Sequence, residues 1–144
     1  MDINRFTEKA QQSLQDAQRL AARNGQQHVD VEHLLAALLD QEPGLASSIL
    51  RKANINLDGL KRRVGQELER LPHVSGGGGE AIGSRLNRLL MQAEDEAKQF
   101  KDEYVSVEHL LLAVAGRQSL GGLQRFLGFF GETIDVHSNL RRGP

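Results

Sequence analysis

The strongest constraint on how this chain can fold is an internal repeat. Residues 29–35 read VDVEHLL and residues 105–111 read VSVEHLL, so the two segments lie 76 positions apart. Apolar positions upstream follow the same offset, for example Ala10 with Leu86 and Ala17 with Ala93. Self-similarity of this extent indicates a duplicated structural unit. Because two copies are too few for an open solenoid, we expect two halves packed about a pseudo-twofold axis.

Each copy has the apolar spacing of four helices, which predicts an all-α fold of about eight helices. In the first copy Phe6, Ala10, Leu14, Ala17 and Ala21 recur every three or four residues, as on one face of an amphipathic helix. The helices predicted in chain order are Phe6–Ala21, Val31–Leu39, Leu45–Ala53, Leu57–Leu71, Ser84–Phe100, Val107–Ala115, Leu120–Phe130 and Ile134–Arg141.

Polar residues and glycines mark the boundaries of these elements. Thr7 and Asp30 are predicted N-caps, and Asn24–Gly25 is a predicted C-terminal stop. The four glycines Gly76–Gly79 favour neither helix nor strand and predict a linker between the copies. The expected organisation is one domain over residues 1–144, with a first repeat at 4–72, a glycine-rich linker at 73–83 and a second repeat at 84–142.

Charge and composition exclude several classes of protein. The chain has 18 Lys and Arg against 19 Asp and Glu, a balance that argues against nucleic acid as the main partner. No apolar run approaches the roughly 20 residues of a membrane span. Cysteine is absent, which excludes disulfides and thiol nucleophiles. We therefore expect a cytoplasmic domain that binds neither nucleic acid nor membrane.

The sequence offers no catalytic constellation. Gly79 is followed by Glu80 rather than the Lys-Ser/Thr of a phosphate-binding loop. His33 and His109 each follow a glutamate, but adjacent helix positions point about 100° apart and cannot share one metal ion. We interpret both rings as structural histidines at the border of the core. The prediction is a chain that is not an enzyme and has no cofactor or metal.

Acidic residues are the better functional candidates. Glu32 and Glu108 occupy equivalent first-turn positions in the two copies, and Asp102 lies in the loop before the second of these helices. They are compatible with two roles, which can coexist. One role is capping and stabilisation of the helix dipole, and the other is binding a guanidinium or backbone amides of a bound chain. The triplet Glu94–Asp95–Glu96 is predicted to be a solvated face.

Three segments together resemble a known family. They are FTEKA at residues 6–10, the doubled VxVEHLL, and RLPxVxG at residues 70–76. In combination they are similar to the N-terminal domain of Clp-type AAA+ unfoldases, over nearly the whole chain from Asn4 to about Phe130. The RLPxVxG segment resembles the disaggregase ClpB more than the protease-coupled ClpA or ClpC.

The resemblance implies a substrate-binding role. Family members of this type are homohexamers that thread unfolded or aggregated polypeptide by ATP hydrolysis in modules beyond this chain, with a partner chaperone or adaptor. It also implies a monomeric isolated domain, and substrate contacts at Thr7, Asp102 and Glu108, with Glu32 as the first-copy counterpart. The alternative is a domain that docks a folded adaptor, as in ClpA and ClpC.

Some positions depart from the family pattern. The apolar groove of the family corresponds here to Gln92, Glu96 and His109, so a purely apolar groove is not expected. In ClpC relatives the first-turn glutamates resemble a phosphoarginine site and follow a threonine. Val31 and Val107 stand at those positions here, which disfavours that ligand.

Overall fold

The computed structural model describes residues 2–41, 44–52, 54–73 and 81–115. Within them, a turn of 3-10 helix at Ile3–Arg5 precedes six α-helices and two short strands. In chain order these are α1 (Glu8–Arg23), β1 (His28–Val29), α2 (Val31–Asp40), α3 (Leu45–Lys52), α4 (Leu57–Arg70), β2 (Ala81–Ile82), α5 (Ser84–Gln99) and α6 (Val107–Ala115). The predicted helices Leu120–Phe130 and Ile134–Arg141, and the linker Gly76–Gly79, lie outside the described residues.

The predicted caps are confirmed, and one of them corrects the start of α1. The Thr7 hydroxyl accepts a hydrogen bond from the backbone N–H of Ala10 at 3.2 Å, which makes Thr7 the N-cap. Phe6 therefore precedes the helix, and its assignment to the helical stripe was wrong. Its side chain is nevertheless buried in the core, and the Phe6 backbone is extended between the 3-10 turn and α1. Asp30 caps α2 as predicted.

The duplicated helices α2 and α6 form the centre of the core. Helix α2 packs against α1 and α4, α6 packs against α5 and α3, and α2 and α6 also contact each other. Leu34 and Leu38 in α2 and Leu110 in α6 have no exposed surface. Full burial of each such side chain contributes about 1.5–3 kcal/mol to folding. In the described residues, the repeated segments thus lie in the core.

Backbone pairing crosses between the two copies at equivalent positions. The Thr7 N–H donates to the Val105 carbonyl at 2.9 Å, and the Gly83 N–H donates to the Val29 carbonyl at 2.9 Å. The donors Thr7 and Gly83 are 76 positions apart, as are the acceptors Val29 and Val105. The start of each copy is therefore bound to the segment that precedes a buried helix of the other copy.

The short strands were not predicted. Strands β1 and β2 pair in parallel, with His28 opposite Ala81 and Val29 opposite Ile82. Strand β2 lies inside the segment 73–83 that was predicted to be a linker. Two residues are too few to produce an alternating pattern, so the sequence carries no strand signal here. The fold is mostly helical, and in the described ranges no helix is long and apolar enough to cross a bilayer.

Two glycines give opposite predictions for stability. Gly65 lies in the exposed middle of α4, where an added Cβ would meet no atom within 4 Å. Gly25 ends α1 with φ of 65°, a conformation that L side chains rarely adopt. We expect Gly65→Ala to raise the free energy of unfolding by about 0.5–1 kcal/mol and Gly25→Ala to lower it by about 1 kcal/mol.

Urea denaturation of both variants checks this pair of expectations. The two substitutions add the same methyl group, so a difference in sign reports the backbone conformation rather than the side chain. Destabilisation by Gly65→Ala would contradict the assignment of an uninterrupted α4.

Candidate functional site

A histidine ring secures the start of α2. His33 Nδ1 accepts a hydrogen bond from the backbone N–H of Asp30 at 2.9 Å. Because a backbone N–H can only donate, the ring proton lies on Nε2, which donates to Gln26 Oε1 at 2.5 Å. The buried Gln26 in turn donates to the Leu68 carbonyl at 2.6 Å. Burial lowers the pKa of His33, although the Asp30 carboxylate opposes this effect. The prediction of a structural histidine is confirmed.

The second copy repeats this arrangement with an exposed carboxylate in place of the buried amide. His109 Nδ1 accepts from the backbone N–H of Ser106 at 2.8 Å, and Nε2 donates to Asp102 Oδ2 at 2.8 Å. Asp102 and Gln26 both precede their histidine by seven residues. The Asp102 side chain, however, is 52% exposed. The second copy therefore presents a carboxylate at the surface where the first has none.

The two first-turn glutamates differ in the same way. Glu32 is buried, and its Oε1 lies 2.9 Å from Nη2 of Arg85, whose Nη1 lies 3.5 Å from Asp30 Oδ2. Glu108 is exposed, and within the described residues it has neither an ion pair nor a hydrogen bond through its side chain. The first carboxylate is thus already paired, whereas the second is open to a ligand.

The structure brings three of the four candidate residues to one place. The Thr7 backbone is hydrogen-bonded to Val105, which stands midway between Asp102 and Glu108 in the chain. These three residues surround the start of α6. Glu32 lies instead at the start of α2, beside α5. Its ion pair with Arg85 was not predicted, because nothing in the local sequence indicates a contact between residues 53 positions apart.

Aromatic side chains lie beside this cluster of Thr7, Asp102 and Glu108. The Phe100 ring centroid is 6.0 Å from that of His109. Phe100 is 38% exposed and Tyr104 is 52% exposed. Exposed aromatic surface next to exposed carboxylates can contact both apolar and cationic groups of a bound chain.

The acidic triplet on α5 is only partly solvated. Asp95 is exposed, but Glu96 is buried, so the prediction of a solvated face was wrong for Glu96. Glu96 precedes Ala97, which belongs to the buried stripe of α5, and so lies at the edge of the packed face. Its Oε2 is buried without a hydrogen-bond partner among the described residues. Sequence reasoning could not reveal this, because burial at a stripe edge depends on how closely α5 packs.

No group of three His, Asp or Glu side chains in the described part of the chain is arranged to hold a metal ion. His33 and His109 each use both ring nitrogens in hydrogen bonds within the domain. At the start of α6 the exposed side chains are the carboxylates of Asp102 and Glu108 and the aromatic rings of Phe100 and Tyr104.

Comparison with known proteins gives a consistent result. The Clp repeat (R) N-terminal domain family matches residues 5–128. The chain is 37% identical over 131 residues to the chaperone protein ClpB of Clostridium perfringens, a match that covers 88% of this chain. It spans only 15% of the length of that relative.

Solved structures share the fold at lower identity. The N-terminal domain of Hsp104 from Candida albicans matches with a TM-score of 0.82 and 23% identity, covering 96% of this chain and 91% of that one. The ClpV N-domain in complex with a VipB peptide matches with a TM-score of 0.79 and 21% identity, covering 94% of this chain and 82% of that one.

The Arg85–Glu32 pair gives a prediction for stability and its pH dependence. Burial, followed by the Asp30 carboxylate, raises the pKa of Glu32 above its ordinary value of 4.5, and Arg85 opposes both effects. We expect Arg85→Met to raise this pKa further and to lower the free energy of unfolding at neutral pH by about 2 kcal/mol. Because a raised folded-state pKa makes ionisation unfavourable to folding, the loss should grow as the pH rises above 4.5.

Urea unfolding of the variant and the wild type, between about pH 4 and pH 8, measures this difference. Arg88→Met is the matched control, since Arg88 is an exposed arginine of the same helix. A stability difference that stays constant across this pH range would show that Arg85 does not act through Glu32.

Proposed function

The chain belongs to the Clp repeat (R) N-terminal domain family, and on this premise we propose that it is the non-catalytic substrate-binding domain of a cytoplasmic, protein-disaggregating chaperone. It engages unfolded or aggregated polypeptide, which AAA+ modules outside this chain then thread in an ATP-driven reaction. The chain covers 15% of the length of its ClpB relative, and we propose that the ATP-driven activity resides in the part of such a protein that this chain does not include.

One observation carries this proposal: the two carboxylates that are exposed at the start of α6. Asp102 and Glu108 face solvent, whereas their counterparts Gln26 and Glu32 are buried and paired within the domain. Phe100 supplies adjacent apolar surface. A surface with both characters suits extended chains of varied sequence, and binding that tolerates many sequences is expected to be weak.

The nature of the ligand has support from a protein of the same fold. The ClpV N-domain matched above is bound to a VipB peptide, so a polypeptide is the class of ligand we propose. Weak binding by one domain would be strengthened in a homohexamer, where several domains on one particle raise the effective concentration of the others.

The surface at the start of α6 belongs to the second of the two repeats proposed from the sequence, 4–72 and 84–142, and it has a counterpart in the first. We propose that they are related by a pseudo-twofold axis between α2 and α6. The crossed hydrogen bonds from Thr7 and Gly83 support this arrangement, since they occupy equivalent positions. Under such symmetry the starts of α2 and α6 are equivalent sites, of which only the second keeps its carboxylates exposed.

Two substitutions test the carboxylates directly. Asp102→Asn keeps an oxygen that can accept from His109 Nε2, and Glu108→Gln alters a side chain with no partner among the described residues. Both should therefore fold normally. We expect each to weaken binding of unfolded polypeptide about threefold, as expected for exposed charge pairs. Glu103→Gln is the control, because Glu103 is an exposed acid of the same loop.

Fluorescence anisotropy with labelled lysozyme that has been reduced and blocked with iodoacetamide measures this binding. Native lysozyme, which carries the same charges in a folded form, is the reference. Equal loss of affinity in Glu103→Gln would reduce the effect to net charge and contradict a defined site. A preference for native lysozyme over the blocked form would favour the alternative, a domain that docks folded adaptors.

A further inference from the structure

Two glutamates are buried in the part of the chain that the structure describes, and only one of them has a cationic partner. Glu32 is 5% exposed and pairs with Arg85 at 2.9 Å. Glu96 is 8% exposed, and its buried Oε2 has no hydrogen-bond partner among the described residues. A carboxylate removed from water without a partner is unfavourable. Glu96 is therefore buried like the acidic member of an ion pair, but no cationic side chain among the described residues pairs with it.

Glu96 lies next to the surface proposed to bind polypeptide. Phe100 follows it by four residues, at the end of α5, and so shares its helix face. The Phe100 ring is 6.0 Å from the His109 ring, which is hydrogen-bonded to Asp102. The unpaired carboxylate, the exposed aromatic ring and the Asp102 carboxylate thus follow one another along one side of the domain.

The equivalent position in the first copy lines a cleft. The residue 76 positions before Glu96 is Leu20, which lines an open cleft of about 560 Å³ at α1 and α2. Ala37 of α2 and Gln41, which follows it, also line this cleft. The equivalent position in α1 therefore faces a cleft, with an apolar side chain where α5 has a carboxylate.

We propose that the Glu96 carboxylate binds the lysine or arginine side chains of the polypeptides that engage this surface, an inference that rests on the function proposed above. The ammonium or guanidinium group pairs with the carboxylate, and the aliphatic stem packs against Phe100. Asp102 and Glu108 add attraction for a cation. A single carboxylate suits such an organic cation better than a metal ion, which needs several ligands. The domain then selects basic residues within apolar segments.

A pair of matched peptides tests this selectivity. Both are fluorescein-labelled twelve-residue peptides of Leu, Phe and Ser with three lysines, and in the second every lysine is acetylated. Acetylation keeps the length of the side chain and removes its charge. At about 0.15 M salt, where distant charges are screened, we expect the wild type to bind the lysine peptide about fivefold more tightly. Glu96→Gln should lose most of this preference and keep at most about a twofold one, from the exposed Asp102 and Glu108 carboxylates.

Asp95→Asn is the matched control, since it removes one exposed charge from the neighbouring position of α5. It should keep the preference for the lysine peptide. Glu96→Leu, which introduces the residue found at the equivalent position of the first copy, provides a second variant if Glu96→Gln is poorly folded. It should likewise lose most of the preference for the lysine peptide.

The outcomes separate this inference from the function on which it rests. Equal binding of the two peptides by the wild type, or a preference that is undiminished in both Glu96 variants, would overturn the role of Glu96 and leave polypeptide binding intact. If the wild type bound neither peptide and also failed to bind the blocked lysozyme, both proposals would be wrong.

Discussion

Backbone hydrogen bonds join the two copies at equivalent positions, among them those from Thr7 to Val105 and from Gly83 to Val29. Each such bond contributes only about 1 kcal/mol, less than the full burial of a single leucine side chain in the core. These bonds are important because of where they lie, since each is donated by the residue that immediately precedes a helix. The first sets the start of α1 beside the loop that contains Asp102. The second sets the first turn of α5 where Arg85 reaches Glu32.

The starts of α2 and α6 have similar sequences, and the differences between them are the basis of the binding site that we propose. Each start uses a neutral imidazole as a bridge between a backbone N–H and a side chain seven residues earlier. In the first copy the bridge ends on the buried amide of Gln26, whereas in the second it ends on the exposed carboxylate of Asp102. In the first copy Gln26 and Glu32 are buried, where they stabilise the fold. In the second copy Asp102 is exposed, and we propose that it binds a partner.

The features that were predictable from the sequence are local ones. The Thr7 and Asp30 caps and the buried helices α2 and α6 follow from patterns within about ten residues. The Arg85–Glu32 pair and the hydrogen bond from Gln26 to Leu68 join residues 53 and 42 positions apart, and no local pattern specifies them. The role of Gln26 could nevertheless have been predicted from the sequence, because the repeat offset matches Gln26 to Asp102. The burial of Glu96 could not have been predicted from the sequence, since it depends on the tertiary packing of α5.

The central claim is that unfolded polypeptide binds at the start of α6. It is tested most directly by an NMR titration of the ¹⁵N-labelled domain with a permanently unfolded polypeptide, with the folded form of the same protein as control. Binding at this surface predicts chemical-shift changes clustered at the backbone amides of Thr7, Asp102 and Glu108, with the unfolded chain alone. Changes clustered at the start of α2, around Glu32 and Arg85, or equal changes with the folded control, would contradict it.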